Sequence, residues 1–395
     1  MRHFITLLII FCLIACNASK NNLGKKELAE KITNQLKYSP VLKKQNLTSS
    51  KRIFPRSLES NGDIRLVGKR DWTSGFYPGV LWFTYELTNQ EEWKNYAVKF
   101  TELLESEKHN ASNHDIGFKM MGSYGLGYKY TKNKAYKDVL VESAKTLITR
   151  FNENVGCIRS WDHNKDKWDF PVIIDNLMNL ELLYWAWKET GDSVFYNIAT
   201  THAKTTMKNH FRNDYSSYHV VGYNPNTGEV VSKNTHQGYA DESSWARGQA
   251  WALYGYTMIY RETKEVEFLN QAEHVANYIM NIANWPKDYV PVWDFDLKDD
   301  ANEPRDASAA AVIASALYEL STFTKSNNKP YLDMADKIMN SLSSNKYFST
   351  VGTNKGFLLK HSTGSKPKED EVDVPLIYAD YYYLEALLRK QKSNN

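Results

Sequence analysis

Apolar positions along the chain fall into two alternating kinds of stretch. One kind is apolar on nearly every side and rich in Tyr, Trp, Gly and Ala: Thr73–Leu87, Ile116–Tyr130, Ile174–Glu189, Ser244–Glu262 and Ser308–Phe323. The other kind carries its apolar residues on one stripe. In Lys134–Phe151, Val139, Leu140, Ala144, Leu147, Ile148 and Phe151 recur at helical spacing between polar residues. Both kinds predict helices, and they come in pairs. Each join is marked by Thr-x4-aromatic, running Thr88 to Trp93, Thr131 to Tyr136, Thr190 to Phe195 and Thr263 to Phe268, with a looser copy from Thr324 to Tyr331. A sixth apolar stretch, Val374–Arg389, takes the early helix Lys25–Leu36 as its partner.

Successive threonines of this signature lie 43, 59, 73 and 61 residues apart. An open solenoid of uniform repeats does not vary so much. Inner helices apolar all round, outer helices with one apolar stripe and long loops at one rim instead predict a ring. The expected fold is all-α, an (α/α)6 barrel of six helical hairpins. It forms a single domain over residues 25–392. Its rim loops are Asn152–Pro171, Asn213–Asp241, Trp285–Arg305 and Tyr347–Asp373, with the aromatic, Gly and Asp content of a binding surface and room for short strands.

Before the barrel stands a targeting segment. Arg2 and His3 precede an apolar run from Phe4 to Ala15, too short to span a bilayer and suited to a signal-peptide core. Its Leu-Ile-Ala-Cys ending resembles a bacterial lipobox. The expectation is a lipoprotein signal peptide over 1–15, lipidation at Cys16 and a polar tether over 16–24. That implies an outer-membrane lipoprotein or a periplasmic protein of a Gram-negative cell; an ordinary signal would give a soluble periplasmic or secreted one. Membrane contact is then through the lipid anchor alone. Cys157 is left as the one ordinary cysteine of the mature chain, so an internal disulfide is excluded, and a buried inert thiol is expected.

Charge narrows the partners. The chain has 49 basic and 46 acidic side chains, a balance that gives no electrostatic reason to expect nucleic acid. No Cys/His cluster has zinc spacing, so no metal is expected. Aromatic residues make up 13% of the 395, including 11 Trp and 26 Tyr. That richness means either an unusual core or a flat, amphipathic ligand such as a sugar.

The repeat also makes position informative, because every inner helix should begin at the same rim. Asp115 opens the second inner helix and Asp175 the third, placing two carboxyl groups at equivalent points on neighbours. Both residues suit helix N-caps. Asp175, however, is flanked by Ile173, Ile174, Leu177 and Met178, and a carboxyl group in such surroundings near a second one should have a raised pKa. That is the condition for a general acid near neutral pH. In 235–255, Arg247 and Trp251 lie four apart on one helix face. They are able to hold a carboxylated sugar by paired hydrogen bonds and stacking, or else to neutralise a buried Asp and pack the core. His219, His236, Trp72 and Trp161 occupy similar rim segments. Arg305 and Asp306 open another inner helix, where an ion pair is expected.

Five segments, WTSGFYPGVLW (72–82), HDIGF (114–118), IIDN (173–176), THQGYADESSWARGQAW (235–251) and RDASAAA (305–311), resemble the unsaturated glucuronyl hydrolases of glycoside hydrolase family 88. The resemblance runs in order across essentially the whole mature chain. It implies the same (α/α)6 barrel, no metal or organic cofactor, and action on oligosaccharides released by polysaccharide lyases, whose non-reducing end is a 4,5-unsaturated uronic acid. The reaction it implies is hydration of an enol ether, unlike ordinary attack at the anomeric centre. Asp175 matches the family's acid, protonating C4 and activating the water that adds at C5. Asp115 matches the second aspartate, which orients substrate hydroxyls and keeps Asp175 protonated. His219, Arg247 and Trp251 match positions contacting the uronate, with Trp72, Trp161 and Gln237 completing the walls. In the last rim loop, Ser362 and Ser365 match part of a Ser-x-x-Ser-x-Lys pattern that some members use for sulfated substrates. Pro367 stands where its lysine would be, between Lys366 and Lys368. The related unsaturated rhamnogalacturonyl hydrolases, and a non-catalytic glycan-binding lipoprotein, remain as alternatives.

Overall fold

The structure is a computed structural model that describes residues 24, 26–44, 51–283, 285–300, 302–324 and 328–393. The leader 1–15, Cys16 and residues 17–23 of the tether lie outside them.

The apolar stretches form the inner ring. Its six members run over Phe76–Thr88, Ile116–Thr131, Leu180–Thr190, Ala246–Thr263, Ala307–Leu320 and Ile377–Ser393. Each packs on the next and the sixth packs on the first, which closes the barrel. Outer helices Glu91–Glu102, Lys134–Ile148, Ser193–Asn209, Val266–Met280 and Asn328–Leu342 return along the outside, with a helix over 26–36 beside the sixth hairpin. Gln35 on that early helix is buried and donates to the carbonyls of Thr353 and Phe357 at 2.8 Å, tying it to the last rim loop.

The threonine signature has a local physical cause. Thr88, Thr131, Thr190 and Thr263 each donate from the hydroxyl to the carbonyl four residues back. Each hydroxyl also accepts the N–H two residues on. The residue between (Asn89, Lys132, Gly191 or Lys264) adopts a left-handed conformation, which ends the helix and satisfies its last carbonyls. The aromatic residue five positions after each threonine is buried: Trp93, Tyr136, Phe195 and Phe268. These four inner-to-outer links are therefore two residues long, whereas the fifth, from Leu320 to Asn328, is longer.

Links at the opposite rim are long and carry all seven strands found among the described residues. β1 (Phe54–Leu58) and β2 (Ile64–Val67) form an antiparallel hairpin ahead of the first inner helix, which the apolar pattern had not marked. β3 (Phe151–Asn152) pairs with β4 (Cys157–Ile158). β5 (Phe170–Ile173), β6 (Val220–Tyr223) and β7 (Val230–Asn234) make a three-stranded sheet from two different rim loops. Phe151 belongs to a strand because the preceding outer helix stops at Ile148. Cys157 is fully buried, and burial pushes its thiol well above the ordinary cysteine range.

The aromatic surplus is largely core. Phe76, Phe118, Trp251, Tyr381 and Tyr382 meet across the barrel axis, with ring centroids 5.1 Å apart for Phe76–Tyr381, 5.5 Å for Phe118–Trp251 and 5.4 Å for Trp251–Tyr382. Below this layer Arg261 and Arg389 join Glu181, Glu319 and Glu385 in a network of ion pairs. Inner helices approach each other at glycines: a Cβ at Gly117 would lie 2.5 Å from Cα of Asn179. The second inner helix changes to a π-turn at Met121–Gly125 as it passes the first.

Candidate active site

Inner helices start at the strand-bearing rim, and their first turns surround one cavity of about 280 Å³. Asp115 and Asp175 both line it. Asn113 accepts the Asp115 N–H at 2.9 Å, and the N–H of His114 donates to Ser160 at 3.0 Å, so the start of the second inner helix is pinned beside Trp161. The third inner helix begins as a 3-10 turn, Ile174–Asn179, directly after β5. The Asn176 amide donates to the Ile158 carbonyl at 2.7 Å, and Asn179 accepts the Phe118 N–H at 2.8 Å. That last bond, together with the Gly117 contact, sets the two aspartate-bearing turns against each other. Neither aspartate side chain caps its helix.

Ile173, Ile174, Leu177 and Met178 are all buried around Asp175. Burial pushes its carboxyl up to about 7; the charges of His114 and Arg247 oppose the rise, and Asp115 adds to it. His114 lies 3.2 Å from Asp115 through Nε2. His219 immediately precedes β6, where it sits 3.7 Å from Asp175 and packs on Trp245 with ring centroids 4.5 Å apart and the planes tilted by 32°. Burial holds its imidazole well below the ordinary histidine range, with the charges of His236 and Arg247 contributing.

Six of the eight predicted catalytic and sugar-binding residues line the cavity: Trp72, Asp115, Trp161, Asp175, Gln237 and Arg247. His219 stands behind Asp175. Trp251 is a correction: it is 1% exposed, lies under Phe118 and Tyr382, and supports the floor without reaching the cavity. Helical spacing put it on the face of Arg247, but one turn deeper the ring is filled by neighbouring aromatics. Arg247 resolves to the second of its two readings while still lining the cavity. Its Nη1 donates to Asp306 at 2.5 Å and to the Thr363 carbonyl at 2.6 Å, and Nη2 donates to the Gly364 carbonyl. Asp306 also caps the fifth inner helix through the N–H groups of Ser308 and Ala309. The Gln237 amide donates to Gly364 at 3.0 Å. Arg305 pairs with Asp299, and not with its neighbour.

Sequence reasoning missed one wall. Arg56 on β1 makes a two-pronged bond to Glu371, at 2.8 Å on each prong, and reaches Asp71 at 2.9 Å; Ser57 adds a bond to Glu371 at 2.7 Å. Tyr378 was also missed, although it opens the sixth inner helix as Asp115 opens the second, so the repeat would have found it. Lys368 reaches the cavity and lies 2.7 Å from Nε2 of His236, whose ring burial and the lysine charge keep to a pKa of about 4. Ser365 lines the cavity, whereas Ser362 is buried and Lys366 pairs with Glu369 outside it.

The fold agrees with that of solved relatives. The sequence profile described as Glycosyl Hydrolase Family 88 matches residues 50–391. An unsaturated glucuronyl hydrolase of Formosa agariphila is 48% identical over 397 residues, 99% of each chain. An unsaturated chondroitin disaccharide hydrolase of Streptococcus pneumoniae is 32% identical over 94% of each chain. The crystal structure of an unsaturated glucuronyl hydrolase specific for heparin superposes with a TM-score of 0.89 at 48% identity, covering 94% of this chain and 97% of that one. That of the Bacillus sp. GL1 unsaturated glucuronyl hydrolase, responsible for the degradation of glycosaminoglycan, gives 0.83 at 30% identity, covering 92% and 95%. With the barrel, the paired aspartates and these matches in hand, the chain belongs to glycoside hydrolase family 88, the unsaturated glucuronyl hydrolases.

Proposed function

We propose that the protein removes the 4,5-unsaturated uronic acid from the non-reducing end of oligosaccharides left by a polysaccharide lyase. The observation that carries this reading is Asp175: a carboxyl group in an apolar niche, raised to about 7 and open to a cavity it shares with Asp115. Such a group is about half protonated at neutral pH and is matched to proton transfer there. In the proposed reaction Asp175 gives its proton to C4, and the ring oxygen stabilises the cation that develops at C5. Water adds at C5 and returns a proton to Asp175. The resulting hemiketal opens by breaking the bond between C5 and the ring oxygen. C1 is then a hemiacetal, which expels the aglycone as an alcohol and becomes an aldehyde. One water is consumed and Asp175 ends as it began. Asp115 orients ring hydroxyls, Trp72 and Trp161 flank the ring, and Gln237 and Arg247 shape the end of the cavity that takes the carboxylate.

The test follows the ultraviolet absorbance of the conjugated C4=C5 bond when purified protein meets lyase-generated unsaturated disaccharides. Loss of absorbance with the wild type, abolished in Asp175→Asn, supports the reading. No loss with either glucuronyl or galacturonyl substrates refutes it, and loss only with galacturonyl-rhamnose moves the specificity to the rhamnogalacturonyl class. We propose further that Cys16 is lipidated and holds the enzyme on the periplasmic or outer-membrane side. Metabolic labelling with a radioactive fatty acid, lost in Cys16→Ser, tests that.

A further inference from the structure

His219 is held in a way that a uronate contact does not explain. Its Nδ1 accepts two backbone N–H groups, from His236 at 3.1 Å and Gln237 at 3.2 Å. A ring nitrogen that accepts two donors carries no proton itself, so in the neutral imidazole the proton is on Nε2. Burial keeps that imidazole neutral. Nε2 points at Oδ2 of Asp175 across 3.7 Å, and neither atom has a hydrogen-bond partner among the described residues. A closure of about 0.5 Å completes an N–H···O bond between them. Oδ2 is buried, while the Asp175 side chain as a whole keeps 13% exposure and lines the cavity. Oδ1 is therefore the oxygen presented to a substrate.

We propose that His219 is a positioning residue for Asp175: its Nε2–H, fixed in that tautomer by the backbone of 236–237, engages Oδ2 and leaves Oδ1 to carry the transferable proton. The proposal rests on the hydrolase reading above and deepens it. As the proton leaves Oδ1 for C4, negative charge develops on the carboxylate, and the bond from Nε2–H becomes charge-assisted and stronger. His219 thus assists departure of the proton while remaining neutral throughout. The other titratable groups facing Asp175 are Asp115 and His114 on the second inner helix and Arg247 on the fourth; Arg56, Glu371, His236 and Lys368 stand farther round the cavity. Among the described residues none of these hydrogen-bonds Oδ2, and Arg247 spends its guanidinium on Asp306 and the carbonyls of Thr363 and Gly364.

Two variants separate the halves of the imidazole. His219→Asn keeps an acceptor near the Nδ1 position for the two backbone donors and has no donor near Nε2. His219→Gln keeps a donor near Nε2. The expected result is a kcat lowered about 10- to 100-fold in His219→Asn, with the basic limb of its pH profile moved upward by about 1 to 2 pH units and KM little changed. His219→Gln should recover most of both. A raised KM with kcat and the limb unmoved would identify a plain substrate contact and overturn the proposal, as would equal loss in the two variants. Nitrogen-15 spectra of the histidine-labelled wild type decide independently of folding or activity. They should show His219 with its proton on Nε2, shifting in Asp175→Asn; the opposite tautomer sinks the idea. If the wild type leaves the C4=C5 absorbance untouched, the hydrolase reading fails by itself and the spectra still judge the tautomer.

Discussion

Replacing Asp175 by Asn should make the protein more stable at neutral and alkaline pH while abolishing its turnover. An unfolded chain ionises this carboxyl near 3.8, whereas the folded protein holds it to about 7, chiefly because it is buried. Below 3.8 both states are protonated and the group contributes nothing. As pH rises from there to about 7, the unfolded state gives up its proton and the folded state does not, so stability falls; above 7 the full cost is in place. A displacement from 3.8 to about 7 converts to about 4 kcal/mol. Asn has nearly the same shape, carries no charge at any pH and escapes this cost. Denaturant unfolding of both proteins at several pH values measures it. The stability gap in favour of Asp175→Asn should be about 1 kcal/mol at pH 4.5 and about 4 kcal/mol at pH 8. Its kcat should fall by about 10²- to 10⁴-fold. A gap that does not change with pH, or a wild type that is the more stable at pH 8, would refute the claim that burial dominates this carboxyl.

Trp251→Phe should lower Tm, because it hollows the layer shared with Phe118 and Tyr382, and leave KM nearly unchanged; a raised KM with unaltered Tm would return Trp251 to the sugar-binding wall. Arg56→Ala leaves the Glu371 carboxylate, 2% exposed, without its two-pronged partner, so destabilisation of about 3–5 kcal/mol and a raised KM are expected from melting curves and kinetics. Gly117→Ala would press a methyl group into Asn179, at 2.5 Å from its Cα, and spread the two aspartate-bearing turns. Its kcat should fall more than its folded fraction does, which circular dichroism beside the absorbance assay will resolve.

What the sequence disclosed depended on how local each cause was. The hairpin joins were legible because a threonine, its carbonyl four back and its N–H two on lie within one short stretch. Asp115 and Asp175 were legible because the repeat fixes where each inner helix starts. The Arg56–Glu371 wall was not, since its partners are 315 residues apart and no periodicity joins them. Nor was the depth of Trp251, because helical spacing gives a shared face and says nothing of distance along the barrel axis. The π-turn at Met121–Gly125 depends on the close passage of the first inner helix, which a single helix's pattern does not encode.

The aromatic layer formed by Phe76, Phe118, Trp251, Tyr381 and Tyr382 closes the barrel beneath the cavity, and the arginine–glutamate network lies below it. The cavity is thus a cul-de-sac. On the proposed reaction, traffic through a single doorway has a fixed order: the terminal ring enters first and leaves last, and the aglycone departs ahead of it. An interior ring of a polymer, with chain continuing on both sides, has no way to thread. On this reaction the enzyme releases one terminal ring from each oligosaccharide, because the ring behind it has no C4=C5 bond, and the freed keto acid, still seated when the aglycone has gone, is the product that competes with the next substrate.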